Sequence, residues 1–458
     1  MKQALFIAVA LALSLPAPLP AALLLWNKTA TNSNWSTAAN WSGGVIPSAA
    51  RPEDVVSLGG SSTFGSPLNN NLTGLSLDTL SILGNFSGNT GTLNGNLIIL
   101  HNLSCRIPAG QTFNVNTPLK LRASPSFGFE VSPNPVGGTA PCFLNLGEVD
   151  VGPHTLGFSG SGVTTITNIT APGRGLADNV LTVRCPFFGG VSMEGFAPTG
   201  TVNVARGFFQ VLNGAPNARI NVTNDGTPGI LRGTGGFREL RTSGGIVEPG
   251  GYSLGQSLIG EMVVTNGVMM GSFSILRMQL STSIGGVFDN DSLVVTGGAD
   301  FGVTFLEVDA PNTVPPIPVG QRFTLVKKLS SGVASPFTNA IQDGFIGSTS
   351  SSALFRINYR GGSGSDLVLT RVDAWIDAPL PLISRLTVLP IAGNTVSDLL
   401  TITGTAAPYQ RMILQTSTDL SSFSDAGTVI AGRTGGIEHS LFVPKTTRRI
   451  FVRFRLTT

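Results

Sequence analysis

Apolar residues fall on alternate positions in a long series of short runs. These are Leu80-Ser-Ile82, residues 97–100, Phe113-Asn-Val115, Leu119-Lys-Leu121, residues 144–151, Leu181-Thr-Val183, Val202-Asn-Val204, and residues 209–212 and 219–222. A period of two sends alternate side chains to opposite faces, so each run predicts a short strand with one buried face. Gly, Asn, Pro or Ser bounds the runs, which is turn punctuation. Helix-period patterns are almost absent. Beyond Val247-Glu-Pro-Gly250 the strands lengthen: residues 273–280, Leu293-Val-Val295 and residues 301–308. After a proline-rich turn at 315–318 come residues 323–326, 354–359 and 366–372. The stretch Phe273-Ser-Ile-Leu-Arg-Met-Gln-Leu280 alternates over part of its length, which predicts one solvated face. Residues 373–384 hold Pro379 and Pro381 and read as a linker. Residues 385–458 carry further strands at 399–402, 412–415, 427–430, 441–443 and 450–456, which suit a small β-sandwich module.

Two architectures accommodate so many short strands, a stack of sandwiches and a parallel β-helix. A sandwich closes near a hundred residues, whereas the body at 59–372 has no clear linker inside it. A solenoid grows without limit because each coil needs only its neighbours. The fold expected is therefore all-β: a right-handed parallel β-helix with coils of roughly 20–25 residues, followed by the small sandwich. Glycine and asparagine suit the corners of such coils, where positive φ is required.

The first residues read differently. Lys2 precedes an apolar run at residues 4–15, then Pro16, Pro18 and Pro20, then the small pair Ala21-Ala22. That is the order of a signal peptide, taken as residues 1–25 with cleavage near residues 20–25. The three prolines oppose a continuous membrane-spanning helix, and no later stretch reaches transmembrane length. Composition sharpens the picture. Of 458 residues 58 are Gly, and charged residues make up 12%, against roughly 25% in an ordinary soluble domain. A helical bundle is excluded, and few acid or base groups remain for catalysis. The hydrophobic share of 41% is ample for a core, which excludes disorder. The net charge of +3 is spread without a basic stripe, which argues against nucleic acid as a partner. Cys105, Cys142 and Cys185 are too few and too far apart for a disulfide framework or a CxxC metal site. They read as small buried apolar residues, the alternative being one pair that stacks on neighbouring coils and oxidises.

Trp26-Asn-Lys28, Asn34-Trp35-Ser-Thr-Ala-Ala-Asn40-Trp41-Ser-Gly-Gly-Val-Ile-Pro47 and Glu53-Asp54-Val-Val56 form a distinctive opening. It resembles the N-terminal module of bacterial secreted proteins that carry autotransporter-associated β-strand repeats. Gly244-Gly-Ile-Val-Glu-Pro-Gly250, Phe288-Asp-Asn-Asp-Ser-Leu293, Gly320-Gln-Arg-Phe-Thr-Leu-Val326, Phe355-Arg-Ile-Asn-Tyr359 and Asp366-Leu-Val-Leu-Thr370 resemble the closing coils of the same passengers. Leu414-Gln-Thr-Ser-Thr-Asp-Leu420 and Phe451-Val-Arg-Phe-Arg-Leu456 resemble a small β module of exported proteins in bacteria such as Verrucomicrobia, with Phe423 where that module more often has Trp. The resemblance implies a right-handed parallel β-helix, secreted or on the outer surface of a Gram-negative-type bacterium. Neither a translocating barrel nor a sorting tail is expected, so the chain is passenger-like and released or retained by another route.

The chemistry on offer is thin. Asp289-Asn290-Asp291 is the densest acidic spot, read as a turn with ion binding as the alternative. Glu148 and Asp150 share one face of a strand and read as solvated surface. His101, His154 and His439 have no metal-ligand spacing, and no GxSxG elbow marks a nucleophile. Trp26, Trp35 and Trp41 read as a cap at residues 26–58 over the open end of the solenoid, the alternative being a sugar-stacking platform. Arg448, Arg449, Arg453 and Arg455 read as alternating outward from a terminal strand. No catalytic residue, cofactor or metal ligand is therefore assigned. The function expected is structural or adhesive, with extracellular polysaccharide, matrix or another cell surface as partner. The competing readings are a β-helix polysaccharide lyase or glycoside hydrolase, and a C-terminal module that binds carbohydrate or envelope. Asp, Glu and Arg gathered in one groove would favour the enzyme, and their dispersal the scaffold.

Overall fold

The computed structural model describes residues 21–27, 32–59, 67–84, 89–124, 129–133, 141–186, 189–196, 199–253, 256–282, 287–311, 316–330, 334–373, 380–392, 394, 396–447 and 449–456. The expected leader through residue 20, Pro315, Pro379 and Arg448 lie outside them. Among the described residues the regular secondary structure is nearly all strand, and its helical pieces are the two short 3-10 turns Ala38–Asn40 and Ser42–Gly44. Most strands join one large sheet whose pairings are parallel except among its last strands.

Most neighbours in sequence are not neighbours in that sheet. Phe143–Asp150 pairs with Val163–Thr170, passing over Leu156–Ser159, which pairs instead with Asn179–Arg184. Parallel neighbours need a long return connection, and here other strands supply it. Side chains bonded between stacked strands lie 18 residues apart at Asn203 and Asn221, and 30 apart at Arg277 and Glu307. Because the pairing is in register, each inward residue sits over another. Leu80 pairs with Leu103, and Ile82 with Cys105, which pairs in turn with Val131. All five are buried in one apolar cluster that continues to Leu369.

The outward faces stack too, and this gives asparagine a role beyond the corners. Asn203 Nδ2 donates to Asn179 Oδ1 at 2.8 Å, and Asn221 Nδ2 to Asn203 Oδ1 at 2.9 Å. Similar amide bonds join Asn116 to Asn94 and Asn145 to Asn114. Strands stacked about 4.8 Å apart bring like side chains to bonding distance, and an amide both donates and accepts. Some strand ends do require glycine. Gly95, at φ 117°, lies so close to the Asn70 backbone that no Cβ fits.

Ala22 and Leu23–Leu25 belong to the first rung, although the sequence places them within the leader. Leu23–Leu25 pairs with Val55–Leu58, and the Ala22 amide donates to Asp54 Oδ1 at 3.1 Å. Trp26, Trp35 and Trp41 are 2, 0 and 3% exposed. Trp41 packs edge-on against both other indoles at 5.0 and 5.5 Å. Rings this deeply buried offer no face to a sugar, so the stacking platform is ruled out.

The far end of the expected solenoid closes differently. Leu354–Gly361 and Asp366–Val372 pair antiparallel, and Asp366–Val372 also runs antiparallel to Arg322–Lys328. The reason is local. Gly362 and Gly364 take positive φ, and Asp366 Oδ2 accepts the Ser363 amide, which makes a tight hairpin turn.

Residues 382–456 form two antiparallel sheets of three strands, Leu382–Pro390 with Ser397–Thr405 and Gly436–Pro444, and Ser424–Ile430 with Arg411–Ser417 and Phe451–Leu456. Leu400, Ile402, Met412, Leu414 and Leu456 share one buried cluster with Leu354 and Val372 of the body. The module is therefore docked. At the joint the Gly347 amide donates to the Pro408 carbonyl at 2.7 Å, and a Cβ on Gly347 would lie 2.6 Å from the Tyr409 carbonyl carbon.

The three cysteines are free and buried. Burial pushes the Cys142 thiol up to about 11 and the Cys185 thiol up to about 12, and raises Cys105 as well. Thiols that resist ionisation do not attack. Iodoacetamide on the folded chain should leave all three unmodified, and in denaturant should add three carbamidomethyl groups by intact mass. A chain that takes up fewer without prior reduction would contain a disulfide.

Candidate functional site

One motif recurs on four stacked strands: Ile230-Leu231-Arg232, Ile246-Val247-Glu248, Ile275-Leu276-Arg277 and Phe305-Leu306-Glu307. The middle residue of each points into the core and is wholly buried. The third therefore points outward, and parallel register stacks the four charges in one column. Their signs alternate, as stacking demands, because like charges directly opposed repel. Arg232 Nε lies 3.7 Å from Glu248, and Arg277 binds Glu248 at 2.5 Å and Glu307 at 3.0 Å. The column ends on the docked module, where Glu307 Oε1 accepts Arg433 at 2.9 Å and the Tyr409 hydroxyl at 3.0 Å. An aromatic ring closes each end: Arg232 stands over Phe208 at 4.6 Å and Arg433 over Phe305 at 4.9 Å.

Beside this column lies a groove of about 290 Å³, lined further by Gln279, Asp291, Asp309 and Thr349. Burial works against the Arg277 charge, but Glu248 and Glu307 more than compensate and hold it firmly protonated. Burial and the Glu307 charge push the Tyr409 phenol up, so it stays a donor. Asp291 is 1% exposed. Its Oδ1 accepts the Gly260 amide at 3.0 Å and its Oδ2 the Gln279 amide at 2.9 Å. Burial pushes this carboxyl up to about 8, against the pull of those two amides and helped by the charges of Glu248 and Asp289.

The residues flagged in the sequence do not meet. Asp289 and Asn290 lie not in the expected turn but on the short strand Phe288–Asn290, paired antiparallel with Ile275–Thr282. Asp289 is exposed and away from the groove wall that Asp291 helps to form. Glu148 and Asp150 both lie on the outward face of Phe143–Asp150, where Asp150 pairs with Lys120 at 3.4 Å. His101 does have a partner: its Nδ1 is 3.0 Å from Asp78 Oδ1, which also faces Arg122 at 3.4 Å. His154 lies in a turn and His439 on a module strand. Among the described residues no group of three His, Cys, Asp or Glu is placed to hold a metal ion. Arg453 stands over Phe423 at 3.9 Å and Arg455 pairs with Asp425 at 3.2 Å, while Val452 and Phe454 pack inward. No helix among the described residues is long and apolar enough to cross a membrane.

No protein-family model matches this chain, and no curated protein matches it.

Proposed function

We propose that the chain is an exported structural or adhesive protein, secreted or held on the outer surface of a Gram-negative-type bacterium, and that it is not an enzyme. On this reading its parallel ladders wind as a right-handed β-helix, capped by the tryptophans and closed by the docked module. The interleaved strand pairings and the stacked asparagines support such winding, as does the resemblance to autotransporter-associated repeats. The leader would be cut before Ala22, because Ala22 and Leu23–Leu25 belong to the first rung. Many weak polar contacts along a long repetitive face would supply adhesion through avidity.

One observation carries the non-catalytic reading. Asp, Glu and Arg do gather in a groove, but each acidic group there already has a partner. Glu248 is held by two arginines, Glu307 by two arginines and a tyrosine, Asp291 by two amides and Asp309 by the Ser350 hydroxyl. A catalytic carboxylate must reach substrate, whereas these clamp one rung to the next. Reducing-sugar and unsaturated-product assays across a polysaccharide panel should show no turnover, and clear turnover would refute this reading.

A second reading, a β-helix glycan hydrolase or lyase, draws support from Asp291 alone. A carboxyl that keeps its proton near neutrality, in the same groove as a second carboxyl, the arginine-paired Glu248, is the kind of pairing that glycoside cleavage uses. If turnover appears and Asp291→Asn abolishes it, the second reading replaces the first.

A further inference from the structure

On the outward face, Gly236–Ser243, Glu261–Met270 and Gly298–Asp300 lie side by side in parallel register. Glu239 stands over Gly267 and Gly267 over Gly298, and in the next outward column Arg241, Met269 and Asp300 are stacked. Leu240 and Val268, between those columns, are buried. The stacked glycines leave an open trough of about 470 Å³.

Nothing within the protein requires these glycines. Neither has a positive φ. A Cβ on Gly298 would meet nothing within 4 Å, and one on Gly267 would make only an ordinary contact, 3.4 Å from the Gly298 carbonyl oxygen. The ladder shifts register just before Gly267 and the chain bends at residues 296–297 before Gly298, but with an ordinary φ and room for a Cβ neither feature needs glycine at these two positions. A glycine in a strand that the fold does not require marks a place where a ligand or another backbone comes close. The rim shows what kind of ligand. Glu239 is shared by Arg219 at 2.8 Å, Asn266 at 3.1 Å and Arg241 at 3.3 Å. Asp300 Oδ1 accepts the Ser335 hydroxyl at 2.9 Å and the Gly302 amide at 3.0 Å. Met269, 57% exposed, sets a soft apolar thioether between these polar groups. Arg219 and Arg241 are balanced by Glu239 and Asp300 together, so the rim carries no net positive charge to draw a polyanion.

We infer that this trough binds a neutral polysaccharide, with the C–H face of a sugar ring over the glycine floor and Met269, and its hydroxyls on Asn266, Arg241, Glu239 and Asp300. The inference rests on the extracellular scaffold reading only in supplying such a polymer as a partner. The test is native affinity electrophoresis of the full chain through gels containing laminarin, dextran, hydroxyethyl cellulose or galactomannan, with alginate and polygalacturonate as anionic counterparts. At least one neutral polymer should retard the chain. Gly298→Leu, which fills the trough, should weaken that binding by roughly tenfold or more while the denaturation midpoint stays in place. Met269→Asp, at an exposed position that folding does not need, should weaken it similarly. The inference is overturned if no neutral polymer binds, if only the anionic polymers bind, or if both variants bind like the parent. It is also overturned if sedimentation shows that the trough serves self-association, with Gly298→Leu separating copies that bind no glycan. Cleavage of the same polymers would sink the scaffold reading and leave the trough standing. Absence of both binding and cleavage would sink the trough alone.

Discussion

Replacing Glu307 with Ala should destabilise the protein by about 3 kcal/mol and loosen the C-terminal module from the body. Removing one partner of a buried ion pair costs roughly 3–5 kcal/mol, because the other charge is left without compensation. The Glu307 side chain is 9% exposed and serves Arg277, Arg433 and Tyr409 together. The lower end of the range applies because the survivors keep other contacts. Arg277 retains Glu248, and Arg433 retains Tyr409 at 3.2 Å and the Phe305 ring. Since two of the three partners of Glu307 belong to different units, the loss should also appear as altered coupling. Chemical denaturation of the variant should separate into two transitions, and limited proteolysis should release a fragment carrying residues 385–458 sooner than from the parent. A single cooperative transition with unchanged proteolysis would mean that the shared cluster around Leu354 and Val372 holds the module unaided.

Alternation was the readable part of this chain, and stacking was the hidden part. Inward residues such as Leu80, Ile82 and Phe113 announce themselves, because a period of two and an apolar type are both local properties. The burial of the tryptophans and cysteines follows from the same logic. Which rung sits over which is not local. It depends on the length of every intervening turn, and between paired parallel strands the advance ranges from 16 residues, Arg232 to Glu248, to 33, Leu293 to Val326. With that advance unknown, Arg232, Glu248, Arg277 and Glu307 read as four scattered charges, and the local cluster Asp289-Asn290-Asp291 stands out instead, although Asp289 and Asn290 lie on a strand. A signal was nonetheless present: two apolar residues followed by a charge, four times, with alternating sign. The start of the first rung was masked for a similar reason. Leu23–Leu25 continues the apolar character of the leader, and only its pairing with Val55–Leu58 separates the two. The antiparallel closure was legible in principle from the glycine-rich turn at 361–365, which makes a hairpin and not a solenoid corner.

Asp291 should impose a pH dependence opposite in sign to that of the other perturbed carboxyls. A carboxyl whose folded-state value is raised favours the protonated form of the fold, so its contribution is fully retained below the unfolded value. For Asp291 the folded value is about 8, against an ordinary 3.8. Stability should therefore fall as pH climbs from about 4, with a limiting slope of about 1.4 kcal/mol per pH unit, and level off above about 8. Asp78, Glu239 and Glu261 are held below their ordinary values. The hydrogen bond from Arg219 dominates at Glu239 and that from Lys327 at Glu261. At Asp78 burial is the largest single effect but is outweighed by the hydrogen bonds to His101 and Thr79 and the charges of His101 and Arg122 together. Their contribution is present above the unfolded values and is lost only as pH falls through the depressed folded ones, so between about pH 5 and about pH 8 they are constant. The cleanest measurement is the difference between the parent and Asp291→Asn, since every other titrating group is common to both. The amide turns one acceptor into a donor facing the Gly260 or Gln279 amide, a fixed penalty of about 1–3 kcal/mol. The variant should thus be the weaker protein near pH 5, and its deficit should close or reverse by about pH 8 as the parent is forced to ionise a buried acid. Denaturation curves that stay parallel across that interval would show that the two backbone amides alone satisfy the Asp291 charge, and that the groove holds an ionised carboxylate throughout.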